Sequence, residues 1–174
     1  GVRTAGGVTG TGAIYLVTGN ADTNLVTLRF QLKQAGFEAA EEAFEVAGRK
    51  FNRGSFIIRN ASLDQVNKTT SDLGIPALAV TAAPAVKTHP VKAARVAIMH
   101  TWLSTQDEGW WRLGFDQMGV PFDYISTQDV AKDADLNKKY DVIVFGPGNG
   151  NVNAVVQGRP MYGNPIPWKK TELT

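Results

Sequence analysis

Residues 95–99 read RVAIM, 107–118 DEGWWRLGFDQM, 121–126 PFDYIS and 140–145 YDVIVF, and this stretch decides how the fold is read. The short apolar runs Arg95–Met99, Pro121–Ser126 and Tyr140–Phe145 have the length and composition of buried strands. Between the first two, a helix is predicted over Asp107–Met118. Ser104 with Asp107, and Thr105 with Glu108, stand at capping-box spacing. The acidic pair suits a helix N-terminus. Trp111, Phe115 and Met118 share a face, and Gly119 is a natural stop. A short polar helix is expected near Gln128–Asn137. Strand, helix, strand, helix, strand is the pattern of a doubly wound parallel sheet.

The first half repeats the alternation. Gly12–Val17 (GAIYLV) reads as a strand, and Asp22–Ala35 as a helix with Leu25, Leu28 and Leu32 on one face. Glu38–Val46 has extended character, and Ala47-Gly48-Arg49 and Arg53-Gly54 read as turns. Ser55–Arg59 is a second strand. A capping box at Ser62–Gln65 opens a helix that Gly74 ends, and Ile75–Val80 follows as a strand. The expected organisation is an α/β subdomain over 1–80, a linker or crossover over 81–94, an α/β unit over 95–146 and an irregular tail over 147–174. The expected fold is α/β, a mostly parallel sheet with helices on both faces. A doubly wound domain normally has five or more strands, and the second half supplies three. It therefore borrows strands from the first half or continues beyond residue 174.

Composition narrows the function. The chain has 174 residues, 43% hydrophobic and 20% charged, enough for a core without staples. Its 18 basic and 16 acidic residues leave a net charge of +2. No dense basic run is present, so nucleic acid is not an expected partner. No stretch reaches the roughly 18 apolar residues of a membrane helix. There is no cysteine, which removes disulfides, thiolate ligands and cysteine nucleophiles together.

Glu41-Glu42-Ala43-Phe44-Glu45-Val46-Ala47-Gly48-Arg49-Lys50-Phe51-Asn52-Arg53-Gly54-Ser55-Phe56-Ile57-Ile58 resembles a segment that follows the catalytic domain in large bacterial zinc carboxypeptidase-like proteins of the M14 class. Gly48-Arg49-Lys50-Phe51 and Gly54-Ser55-Phe56 carry the likeness. Arg95–His100, Trp102, Asp107-Glu108-Gly109-Trp110 and Tyr140–Phe145 resemble the C-terminal region of the same family. That region is similar to class I glutamine amidotransferase domains, whose fold is flavodoxin-like. The resemblance covers about residues 12–170.

It implies a parent protein with a zinc peptidase domain upstream, secreted or periplasmic in one reading, its compartment otherwise open. The family's zinc site needs a His-x-x-Glu pair and a distant His, which leave a position for the catalytic water. Here Lys92 and Leu103 stand three residues after His89 and His100, the chain's 2 histidines. The implied zinc thus belongs to the parent's upstream domain, and no cofactor is expected in this chain. An amidotransferase needs a cysteine nucleophile, which is also absent. The implied role is a non-catalytic accessory region that packs on the peptidase domain or helps present substrate.

Two other functions stay open. His100 falls where the Arg95–Met99 strand should end, and ligands of open parallel sheets bind at the carboxyl ends of strands. With Trp102, Asp107 and Glu108 it forms the candidate ligand site. The plainer alternative makes His100 a loop residue, Trp102 a packing residue and the acids helix caps. A hydrolase built on His100 and an acid is the third possibility. Trp110 and Trp111 are adjacent, about 100° apart on a helix, so they do not both point into one core; either one sits at an interface with the peptidase domain or both are partly buried at a sheet edge. Gly6–Gly12 is glycine-rich but precedes a strand, so it reads as a flexible lead-in rather than a phosphate loop.

Overall fold

The computed structural model describes residues 5–101 and 105–146. Internal contacts divide the chain into two units, Gly1–Ala93 and Ala94–Thr174.

In the first unit β2 (Ile14–Val17), α1 (Asn24–Gln31) and β3 (Gly36–Ala40) come first after a short strand, β1 (Gly7–Gly10). A hairpin of β4 (Phe44–Val46) and β5 (Arg49–Phe51) follows. β6 (Phe56–Arg59), α2 (Leu63–Leu73), β7 (Pro76–Val80) and β8 (Thr88–Pro90) complete the unit. The six-stranded sheet runs β1-β7-β2-β6-β3-β8. Only β1 and β7 are parallel; every other neighbouring pair is antiparallel.

This corrects the expected mostly parallel sheet with helices on both faces. β2 and β3 are joined through α1, yet β6 lies between them and opposes both. β6 and β7 are joined through α2, yet β2 lies between them. These are two interleaved split βαβ units. Strand–helix–strand alternation has the same periodicity whether the two strands pair directly or admit a third between them. Both helices also serve one face. Leu28 of α1, Leu32 at its C-cap and Val66 of α2 pack in one core with Tyr15, Val17, Phe37, Ile58, Ala77 and Ala79. The side chains between those, Leu16, Ile57 and Leu78, face the other way and meet Phe51, with Phe44 and Val46 packed alongside. The hairpin, not a helix, covers that face. Two covered faces explain why the strands read as continuous apolar runs.

Local chemistry fixes the ends of these elements. The Ser62 hydroxyl accepts from the Gln65 backbone N–H at 3.3 Å and the Gln65 side chain accepts from the Ser62 N–H, a complete capping box. Gly74 closes α2 in the left-handed region at φ 69°, which costs a glycine nothing. The β4–β5 turn needs positive φ at both central residues, Ala47 at 50° and Gly48 at 73°. Arg29 is buried; its Nε donates to the Val91 carbonyl at 2.8 Å and its guanidinium lies over the Phe37 ring.

The second unit has a three-stranded sheet, β9 (Val96–His100), β10 (Phe122–Ser126) and β11 (Val142–Phe145), in the order β10-β9-β11, all parallel. α3 (Thr105–Met118) joins β9 to β10 and packs on β9; α4 (Thr127–Lys132) packs on β10. A single 3-10 turn, Leu136–Lys138, precedes β11. Here the parallel order does occur, with β9 central, and the chain reverses its lateral direction between β10 and β11. Arg95 fixes the approach to the sheet: its guanidinium meets Asp141 at 2.9 Å, and its backbone N–H donates to the same carboxylate at 2.8 Å. Among the described residues, no helix is long and apolar enough to cross a membrane.

Candidate functional site

The carboxyl end of the parallel sheet collects the buried polar groups of the second unit. His100, Thr101, Glu108 and Ser126 are all less than 8% exposed. The strand register explains the places of His100, Ser126 and their neighbour Tyr124. His100 is the last residue of β9 and stands opposite Ser126, the last residue of β10. Side chains two apart on a strand share a face, so Tyr124 lies beside His100. The two rings stack with centroids 4.3 Å apart and planes within 17°.

α3 supplies the other half. Glu108, in its first turn, is 3% exposed and accepts a hydrogen bond from the Tyr124 hydroxyl through Oε1. Its Oε2 is buried with no hydrogen-bond partner among the described residues. One turn on, the Arg112 guanidinium lies 4.3 Å from the centre of the Tyr124 ring. Tyr124 thus sits between a carboxylate at its hydroxyl and a guanidinium at its face. Burial, then the bond to Glu108, push its hydroxyl above the ordinary value, while Arg112 opposes them.

Beyond β10 the chain caps α4. The Ser126 N–H and hydroxyl both donate to Asp129 Oδ2, at 2.8 and 2.7 Å, and the hydroxyl accepts from the Asp129 N–H at 3.1 Å. Those bonds hold the Asp129 carboxyl below its usual value; Lys132 and His100 add weaker pulls in the same direction. A cavity of about 350 Å³ opens beside this cap, bounded by Asp129, Lys132, Asp133, Lys139 and Tyr140. Much of its charge is committed internally: Lys139 meets Asp133 at 2.6 Å, and the Tyr140 hydroxyl donates to Asp123 at 2.9 Å.

Of the four residues singled out in the sequence, the structure brings the buried His100 and Glu108 together, linked through Tyr124, which is itself 39% exposed. Asp107 is exposed. Trp102 lies outside the described residues, as does the Ser104 of the expected capping box. Glu108 does more than sit at a helix start: it accepts from a neighbouring strand. Tyr124 and Arg112 were missed. The signal for Tyr124 was its place two residues before the end of β10, on the face that His100 shares. Arg112 stands one helical turn after Glu108, on the same side of α3. Among the described residues no group of three or more His, Asp or Glu is placed to hold a metal ion.

The sheet also exposes apolar surface. In β11, Val142, Ile143 and Phe145 are 44%, 38% and 41% exposed. On α3, Trp110 is 65% exposed. Trp111 lies against Gly146, so closely that a Cβ there would come within 2.9 Å of the indole. The chain matches no family model, no curated protein and no solved structure.

Proposed function

We propose that this chain is a non-catalytic accessory region of a zinc carboxypeptidase-like protein of the M14 class, and that it packs on the peptidase domain through the β11 side of its parallel sheet. One observation supports this above the others. β11 is a strongly apolar edge strand, yet three of its four side chains are exposed. Parallel sheets are ordinarily covered on both faces. An apolar edge left open, as this one is among the described residues, is an aggregation hazard unless a partner covers it. The resemblance of Glu41–Ile58 and of Asp107–Trp110 to the family's post-catalytic region selects the peptidase domain as that partner. Zinc and its catalytic water would belong to that domain.

The test is a pull-down of the chain against the peptidase domain encoded upstream in the same reading frame, with carboxypeptidase activity assayed in both states. Retention together with changed activity or substrate range supports the reading. It also requires that Ile143→Asp abolish retention while circular dichroism stays unchanged. No retention of the wild-type chain refutes it.

A second reading is a small-ligand module at the strand ends. The buried Glu108 carboxylate, with one oxygen unpartnered among the described residues, favours it. A thermal-shift screen would separate the two. A ligand that stabilises the wild-type chain but not Glu108→Gln would favour this module.

A further inference from the structure

The first unit holds a cavity that the accessory role does not use. It measures about 210 Å³ and lies where β2 runs into α1, beside the C-terminal cap of α2. That is below the roughly 300–1,000 Å³ of drug-sized sites, so its occupant is small. Its polar lining is Thr18, Asn20, Asp22 and Arg49. Val17, Leu25 and Ile75 supply an apolar wall, the first and last of them buried.

The two opposite charges of this lining are both uncommitted. Neither Arg49 nor Asp22 forms an ion pair among the described residues, although both border one cavity. Arg49 makes a single long hydrogen bond, Nη1 to Thr9 Oγ1 at 3.4 Å, and lies loosely over the Phe51 ring at 5.8 Å. The rest of its donor fork remains available for a planar anion. Asp22 Oδ1 accepts the Asn24 N–H at 2.9 Å, and Oδ2 accepts nothing among the described residues. Between Asn20 and Asp22, Ala21 is held at φ 59°, a conformation that costs a residue with a Cβ. Asn20 Oδ1 accepts the Asp22 N–H at 3.2 Å, which ties the two polar side chains to the same turn.

We propose that this cavity binds a free α-amino acid with an apolar side chain. The carboxylate pairs with the Arg49 guanidinium, where two parallel N–H···O bonds are possible. The ammonium pairs with Asp22 Oδ2. The side chain lies against Val17, Leu25 and Ile75. A simple anion would meet the repulsion of Asp22, and a simple cation that of Arg49. A small zwitterion satisfies both.

The experiment is titration of the full chain with L-leucine, followed by ¹⁵N–¹H shifts. The expected result is saturable binding, with a Kd on the order of 1 mM, and shifts centred on Thr18–Leu25 and Arg49. Leucinamide, which lacks the carboxylate, and 4-methylpentanoate, which lacks the amine, should each bind at least about tenfold more weakly. Arg49→Gln and Asp22→Asn should each weaken leucine by a similar factor; Asn keeps the oxygen that caps Asn24. No shifts up to the solubility limit of leucine would overturn the proposal. So would equal binding of the two half-charged analogues, or shifts centred in the second unit. The analogue series uses the wild-type chain, so the test survives a variant that misfolds.

Discussion

The Tyr124 hydroxyl donates its hydrogen bond to the carboxylate of Glu108, joining strand β10 of the second unit to the first turn of α3. Glu108 is 3% exposed, and no other hydrogen bond to its carboxylate is seen among the described residues. Removing the donor strands a buried acceptor, which typically costs about 1–3 kcal/mol. Tyr124→Phe should therefore lower the unfolding free energy of the second unit by about that amount in a denaturant titration. Glu108→Gln keeps an acceptor and should cost less. It should also bring the Tyr124 phenol back toward its ordinary value, seen as an earlier rise in phenolate absorbance with pH. An unchanged titration would show that the carboxylate is not the phenol's partner in solution.

The β4–β5 turn places Ala47 at φ 50° beside Gly48 at 73°. A left-handed conformation costs a residue with a Cβ roughly 1 kcal/mol. Ala47→Gly should relieve that cost and raise stability by roughly 0.5–1 kcal/mol, less what glycine loses in chain entropy. Ala47→Val should lower it by more. The chevron or the thermal midpoint measures both; a loss of stability in the glycine variant would mean that the turn has another geometry.

Glu38 links three strands. Its Oε2 meets Arg59 Nε of β6 at 2.9 Å, and its Oε1 accepts from the Thr88 hydroxyl of β8 at 3.1 Å. The bond to Arg59 is the main cause that holds its carboxyl below 4.5. A carboxyl lowered in the folded state contributes stability above its unfolded value and loses it as pH falls through the folded value. Acid should therefore loosen the β3–β8 edge below pH 4.5. Glu38→Gln should be less stable than wild type at neutral pH, and the gap should close on acidification. A gap that stays constant with pH would contradict the ion pair.

Much of the local structure could be read from residues. The capping box at Ser62–Gln65, the glycine stop at Gly74 and the apolar strand runs all rest on chemistry within a few positions. Strand order rests on contacts far apart in sequence, and periodicity is blind to it. Hence β6 between β2 and β3 was invisible, and a mostly antiparallel sheet was read as parallel. β1 was hidden because Gly7–Gly10 is glycine at both ends, with only Val8 and Thr9 between to carry a strand pattern. What holds it is backbone pairing to β7 and the Val8 N–H donated to Asn67 Oδ1 at 2.9 Å. β8 sits in the alanine- and proline-rich stretch 81–94; Pro90 suits the edge strand it ends. At the site, His100 could be found from strand-end logic. Tyr124 and Arg112 left weaker signals, a place two residues before the end of β10 and one helical turn after Glu108; those spacings name neighbours, not a ring stack or a cation over its face.

The proposed interface requires β11 to be covered by the peptidase domain of the proposed parent protein. Amide hydrogen exchange of Val142–Phe145, with and without the M14-class peptidase domain, measures that most directly. Covered by the domain, the β11 amides that do not already bond toward β9 should exchange at least about tenfold more slowly, while β9, paired on both sides, changes little. Unchanged exchange across β11 at saturating peptidase domain would contradict the proposed interface.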